Sequence, residues 1–140
     1  MLLGAHMSIA GGVYNAVLDG KKATCDTIQI FTKSSNQWRA KPLTDEEVER
    51  FFAEQENTGV TVSCAHDSYL INLGSPDEEL YKKSFEAFMV ELERCEILKV
   101  PNLVMHPGSH VSSGVKVGLK RIANAFNMLF DKLPDNKTTV

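Results

Sequence analysis

The chain has 140 residues, of which 43% are hydrophobic and 24% are charged, and its formal net charge is −3. This length and composition are typical of a globular domain with one core, and the charge gives no overall attraction to nucleic acid. The sequence has no apolar run that could cross a bilayer, so we expect no membrane partner. It also has no signal-peptide pattern, and we expect a cytoplasmic protein. Its three cysteines are widely spaced and predict small buried side chains rather than a disulfide framework.

Predicted strands and helices alternate along the chain. The apolar, period-two segments that predict strands lie at residues 2–6, 26–31, 60–65 and 102–105, and residues 138–140 resemble the start of a fifth strand. Segments with helical spacing follow them, the first after Gly12 and the others at residues 44–59, 75–95 and 116–131. This order predicts four β/α units and the beginning of another.

Capping residues support two of these helices. Thr44 and Glu47 have the spacing of a capping box at the start of the second helix, and Gly59 is suited to its C-terminal end. Ser75 and Glu78 have the same spacing, which predicts that the third helix begins at Ser75.

Alternating strands and helices predict an α/β protein with a parallel sheet and right-handed crossovers. Both a doubly wound sheet and a (β/α) barrel are compatible with this order. No strand is followed by the glycine-rich fingerprint of a dinucleotide-binding fold, which makes that fold the weaker alternative.

Histidines recur where predicted strands end: His6 is the last residue of the first, His66 follows the third and His106 follows the fourth. A single histidine at such a place is most often a hydrogen-bonded rim residue. In a barrel, however, these strand ends open onto one face, and imidazole is a common zinc ligand. Their recurrence therefore favours a metal site. His110 lies four residues after His106, but Pro107 between them favours a loop, so we expect His110 at the rim.

Four longer segments make the pattern specific: GAHMSIAGG at residues 4–12, FTKSSNQWRAKPL at 31–43, HDSYLINLGSP at 66–76 and HPGSH at 106–110. In order and spacing they resemble the N-terminal half of the endonuclease IV family. The resemblance implies a TIM (β/α)8 barrel with three zinc ions, which hydrolyses the phosphodiester 5′ to abasic sites in double-stranded DNA during base excision repair. We expect residues 1–140 to form half of one such barrel domain.

The resemblance also implies roles for the histidines. His66 and His106 match two zinc-binding residues that serve the same ion, and a glutamate on the fifth strand, which we expect outside these 140 residues, completes that site in the family. His6 matches a histidine with a supporting role at the barrel mouth. Asp67 could orient a ligand or cap its loop, and His110 could support a ligand.

Two segments would contact DNA. Tyr69 and Leu70 match residues that push into the duplex where the abasic nucleotide is flipped out, and such side chains can replace lost base stacking. In the segment 31–43, Lys33 and Arg39 would contact phosphates. Asn36 stands where the family commonly has an arginine that enters the DNA stack, so this loop lacks that charge and wedge.

Two alternatives stay open. The 140 residues could form a non-catalytic half-barrel that binds zinc or DNA weakly, and its open sheet edges could promote self-association, although no obligate protein partner is evident. A sugar isomerase-like TIM barrel would also place metal ligands at strand ends. The segment HDSYLINLG and the basic loop around Trp38 favour the nuclease over the isomerase.

Overall fold

The computed structural model describes residues 1–140 and alternates four strands with four helices. The strands are β1 (Gly4–Met7), β2 (Thr27–Phe31), β3 (Thr61–His66) and β4 (Leu103–Val104). The helices are α1 (Val13–Lys22), α2 (Asp45–Thr58), α3 (Glu78–Ile97) and α4 (Val115–Lys132). No helix combines the length and apolar character that a membrane-spanning segment requires.

The sheet is parallel throughout, and each strand pairs with the next one along the chain in the order β1-β2-β3-β4. Asn102 forms a parallel bridge with Thr139, and the Leu103 amide donates to the Thr139 carbonyl at 2.8 Å. The last residues therefore begin a fifth position in the sheet, as predicted. A sequential order that never reverses is the order of a (β/α) barrel, whereas a doubly wound sheet reverses at a switch point.

The core lies between the sheet and its helices. Ile28 and Ile30 of β2 are buried beneath the helices, as their period-two spacing predicted. Gln29 between them faces the opposite side, where its amide contacts His6 and Cys64. In a closed barrel that opposite side is the interior, so His6, Gln29 and Cys64 lie on the face that would turn inward.

The predicted ends of α2 are confirmed, although Glu47 has a different partner from the one a capping box requires. The Thr44 hydroxyl accepts the Glu47 amide hydrogen at 3.2 Å, and Gly59 ends the helix with a left-handed φ of 73°. The Glu47 carboxylate accepts instead from the Val13 amide at 3.1 Å. This bond joins the start of α2 to the start of α1.

The predicted start of α3 at Ser75 is wrong by two residues. Asp77 is the N-cap, because its carboxylate accepts the Leu80 amide hydrogen at 2.7 Å and the helix begins at Glu78. The Ser75 hydroxyl accepts from the Asp77 amide at 3.2 Å and forms a turn before the helix. Both side chains can cap a helix, and the path of the chain selects Asp77.

Candidate metal centre at the strand ends

The rings of His66 and His106 lie next to each other at the C-terminal ends of the strands, with their centroids 5.1 Å apart. His66 is the last residue of β3, and His106 follows β4 by two residues. Because β3 and β4 are paired neighbours, these two positions meet although they are far apart in sequence. The role of both residues as metal ligands stays a prediction.

A hydrogen bond fixes the orientation of the His66 ring. Its Nδ1 lies 2.9 Å from the carbonyl oxygen of Asp67. A carbonyl oxygen can only accept, so Nδ1 carries the hydrogen and the lone pair is on Nε2. The outer nitrogen of His66 is therefore the one that can bind a metal ion, and main-chain support of this kind is typical of metal-binding histidines.

The two imidazoles have the chemistry and spacing for one zinc ion. With Zn–N bonds of about 2.0–2.1 Å and a tetrahedral angle, two histidine rings on the same ion have centroids about 5 Å apart. The observed separation of 5.1 Å agrees with this value. The chain brings together no group of three or more His, Cys, Asp or Glu side chains suited to a metal. Since a catalytic zinc takes about three protein ligands, these residues account for part of such a site.

Asp67 places a buried carboxylate directly behind His66. The residue is 1% exposed, its Oδ1 lies 3.5 Å from His66 Nδ1, and neither carboxylate oxygen has a hydrogen-bond partner. Burial, and then the nearby Glu91 carboxylate, raise the pKa of Asp67 to about 7, while Lys33 and the nearby main chain of His106 and of Asp67 itself act in the opposite direction. A carboxylate without a partner at this place would be stabilised by positive charge at His66.

His6 belongs to the same face but is separated from the pair. Its ring packs edge-on against Phe31 at 4.5 Å, and Phe31 in turn contacts His66 at 5.8 Å. The His6 Nδ1 is 2.8 Å from the Gln29 amide nitrogen. Partial burial and the neighbouring His66 lower the pKa of His6. These contacts give His6 a place in the wall of the site rather than beside the other two rings.

His110 lies apart from the two adjacent rings. Its Nδ1 accepts the Gly114 amide hydrogen at 3.2 Å, and its Cβ packs against Gly118 in the first turn of α4. The structure thus brings His66 and His106 together, whereas His110 stabilises the loop that enters α4. Its predicted support of a metal ligand is not evident in these contacts.

Tyr69 covers the pair from the solvent side. It is 66% exposed, and its ring lies 5.4 Å from His66 and 6.0 Å from His106. Leu70 beside it is half-buried. An exposed aromatic ring next to candidate metal ligands is available to a bound substrate, which a ring packed inside the barrel would not be.

The residues predicted to contact DNA between β2 and α2 differ in their exposure. Asn36 and Arg39 are exposed. The prediction that Lys33 contacts a phosphate is not supported, because its side chain is only 2% exposed and its ammonium lies 3.6 Å from the Glu91 carboxylate. Lys33 also donates to the Gln37 carbonyl at 2.9 Å. A buried cation with these partners cannot reach DNA in this conformation.

Sequence reasoning missed Glu91 and Arg94, two charged residues buried on α3. Glu91 follows Phe88 by three residues and precedes Cys95 by four, which places it on the apolar stripe of the helix. A charged residue on the apolar stripe of a helix indicates a buried charge with a specific partner, and this pattern could have identified Glu91 from the sequence. The Glu91 carboxylate accepts from the Thr32 hydroxyl and from the Ser68 amide, the latter at 3.2 Å.

Comparison with known proteins supports the predicted fold and family. Residues 18–140 match the family model described as xylose isomerase-like TIM barrel. The chain belongs to this family of xylose isomerase-like TIM barrels, which confirms the predicted fold class.

Particular relatives narrow the resemblance. A probable endonuclease 4 from Chloroflexus aggregans is 50% identical over 126 residues, covering 90% of this chain and 44% of that protein. The crystal structure of endonuclease IV from Thermus thermophilus matches with a TM-score of 0.79 and 33% identity, covering 94% of this chain and 48% of that one. The resemblance to endonuclease IV is thereby confirmed, and the chain spans about half the length of these relatives.

The fold alone does not separate the nuclease from the isomerase alternative. A D-psicose 3-epimerase matches with a TM-score of 0.67 at 15% identity, covering 97% of this chain and 50% of that protein. At this identity the likeness concerns the fold only. The choice between the two chemistries therefore depends on the residues at the strand ends.

Proposed function

We propose that this chain is the part of a zinc-dependent endonuclease that contributes two zinc ligands and DNA-contacting loops for hydrolysis of the phosphodiester 5′ to abasic sites. The main support for the proposal is that the His66 and His106 rings are adjacent at the ends of paired strands, with their centroids 5.1 Å apart. The 50% identity to a probable endonuclease 4 supports the choice of substrate. The remaining ligands would come from residues outside this chain.

His66 would bind zinc through Nε2, because its Nδ1 is engaged with the Asp67 carbonyl. His106 would supply a second nitrogen. Bound zinc lowers the pKa of water from 15.7 to about 7, which makes hydroxide available at neutral pH. The Asp67 carboxylate behind His66 would stabilise positive charge there and keep the ring in one orientation.

The loop after β3 would place Tyr69 and Leu70 against the DNA duplex. Tyr69 is exposed next to both histidines, so a flipped-out abasic nucleotide at the metal would leave a gap in the stack within reach of its ring. Arg39, exposed on the neighbouring loop, would contact a phosphate. Asn36 offers hydrogen bonds there but no charge, which would make this loop a weaker wedge than an arginine.

Zinc binding by single-histidine variants tests the metal site. His66→Ala and His106→Ala should each strongly lower the zinc affinity of the 140-residue chain. The loss should exceed the about 10–100-fold that is expected when a residue that only supports a metal ligand is removed. His110→Ala is the matched control, because its ring bonds to Gly114 and should leave zinc affinity unchanged. Competition with a chromophoric chelator measures all three, and equal affinity in the two variants and wild type would remove these residues from the metal site.

Incision of DNA tests the reaction. The 140 residues bring together only two close histidines, so the isolated chain should hold fewer than three zinc ions and cut abasic duplex feebly. A version completed to the length of its relatives should cut abasic duplex, should stop in EDTA and should not isomerise ketohexoses. Strong EDTA-sensitive incision by the isolated chain would contradict the dependence on ligands from elsewhere, and isomerisation without incision would favour the sugar isomerase.

A further inference from the structure

One buried carboxylate contacts both loops that face the candidate site. These are the β2–α2 loop, residues 32–44, and the β3–α3 loop, residues 67–77. Glu91 of α3 is 1% exposed and accepts from the Thr32 hydroxyl in the first loop. It also accepts from the Ser68 amide in the second loop at 3.2 Å. A single side chain on a rigid helix therefore fixes the start of each loop.

Further contacts join the two loops to each other and connect Glu91 to the middle of the β2–α2 loop. The Lys33 ammonium lies 3.6 Å from the Glu91 carboxylate and donates to the Gln37 carbonyl at 2.9 Å. The Ser68 hydroxyl donates to the Ser35 carbonyl at 2.6 Å. Because Lys33 is buried and Glu91 is its ion-pair partner, removing the charge of Glu91 would leave this cation without that partner.

Arg94, one turn further along α3, holds both ends of the β2–α2 loop. Its Nε and Nη2 donate to the Thr32 carbonyl at 2.9 and 2.6 Å, and its Nη1 donates to the Lys41 carbonyl at 2.8 Å. A loop of this length without secondary structure would otherwise be mobile. Here its main chain is bound at its first residue and again near its last.

We propose that Glu91, together with Arg94, is a positioning residue that holds the β2–α2 and β3–α3 loops in the orientation needed to receive abasic DNA. This inference rests on the proposed function. Burying charged groups is costly, and apolar residues would support a core at least as well, so the location of this network between two substrate-facing loops argues for a positioning role. Loops that are already ordered lose less conformational entropy when a ligand binds.

The only tryptophan of the chain, Trp38, reports directly on the first loop, because it follows Gln37 and is 37% exposed. Glu91→Gln keeps the size of the side chain but cannot neutralise Lys33. In this variant we expect acrylamide to quench Trp38 more strongly. We also expect the Ser68 amide to exchange its hydrogen about 10–100-fold faster than in wild type.

Two further variants separate positioning from general stability. Glu93→Gln makes the same change at an exposed position of α3 and should leave quenching and exchange as in wild type. Ser68→Ala removes the bond to the Ser35 carbonyl, and the bond that the hydroxyl accepts from the Leu70 amide, without altering the buried charges. It should therefore increase Trp38 quenching even if Glu91→Gln fails to fold. Urea unfolding of each variant shows that measurements are made on folded protein.

The consequence for DNA is measured with Glu91→Gln in the protein completed to the length of its relatives. We expect the KM for abasic duplex to rise about tenfold or more while kcat changes by less than about twofold and zinc content is unchanged. Unchanged quenching and exchange in both Glu91→Gln and Ser68→Ala would overturn the inference, as would loosened loops with an unaltered KM. If wild type itself fails to cut, the proposed function fails, and the fluorescence and exchange results still decide whether Glu91 orders the loops.

Discussion

Asp67→Asn should remove a pH-dependent loss of stability from the metal-free chain. In the folded chain the pKa of this carboxyl is raised from 3.8 to about 7, chiefly because it is buried. The unfolded chain therefore releases the Asp67 proton near pH 3.8, whereas the folded chain holds it until the pH approaches 7. The folded state binds more protons across this interval, so the free energy of unfolding falls as the pH rises from about 4 to about 7.

The size of the effect follows from the two pKa values. The contribution of Asp67 changes by about 1.4 kcal/mol for each pH unit in this interval, and by at most about 4 kcal/mol in total. Asparagine has nearly the same shape and does not titrate. Between about pH 4 and about pH 7, Asp67→Asn should therefore become progressively more stable relative to wild type. Above about pH 7 the difference in their free energies of unfolding should stay constant.

Urea unfolding in EDTA at pH values between about 4 and 8 measures this difference, followed by circular dichroism. Using the difference between two proteins removes the contribution of the other titratable groups, which are common to both. EDTA is required because a cation bound at His66 would stabilise the Asp67 carboxylate. Parallel pH profiles for the two proteins would contradict this prediction and would show that the Asp67 carboxylate is solvated or hydrogen-bonded in solution.

Two further predictions concern the core. Cys95 is buried and its pKa is raised to about 12, so it should react slowly with alkylating reagents. At about pH 8, iodoacetamide should label the half-buried Cys64 in the native chain but should label Cys95 only in urea. Equal labelling rates at the two cysteines, measured by mass spectrometry, would contradict this prediction. Phe88→Ala should lower the free energy of unfolding by about 3–5 kcal/mol, because the buried Phe88 ring joins α3 to Phe126 of α4. Phe130→Ala is the control, because Phe130 is 56% exposed and its loss should lower the free energy of unfolding much less. A loss as large as that of Phe88→Ala would contradict the difference in burial between the two rings.

Sequence alone was enough to place the secondary structure and to select two residues of the candidate site. Hydrophobic periodicity located all four strands and helices, and Gly59 was correctly expected at the end of α2. His66 and His106 were identified because each follows a predicted strand. Once the sheet is parallel and sequential, residues at the ends of neighbouring strands must lie close together.

Other features depended on partners that local patterns cannot specify. Lys33 was interpreted as a surface cation because its neighbours in sequence are polar, yet it is buried against Glu91 from a distant helix. Glu47 has the spacing of a capping box but bonds to Val13 of another element. Ser75 and Asp77 both have capping side chains, and the turn between them decides which one begins α3.

Local sequence patterns were sufficient to locate each strand and helix, the strand ends that carry imidazole, and the segments that resemble endonuclease IV. These features arise from interactions over a few residues, such as periodic burial and capping, or from contiguous motifs. Three features became known only from the folded chain: the sequential strand order, the 5.1 Å separation of the His66 and His106 ring centroids, and the burial of Lys33 with Glu91. The surroundings of a charge are set by groups that folding brings from distant parts of the chain, and no local pattern records which groups those will be.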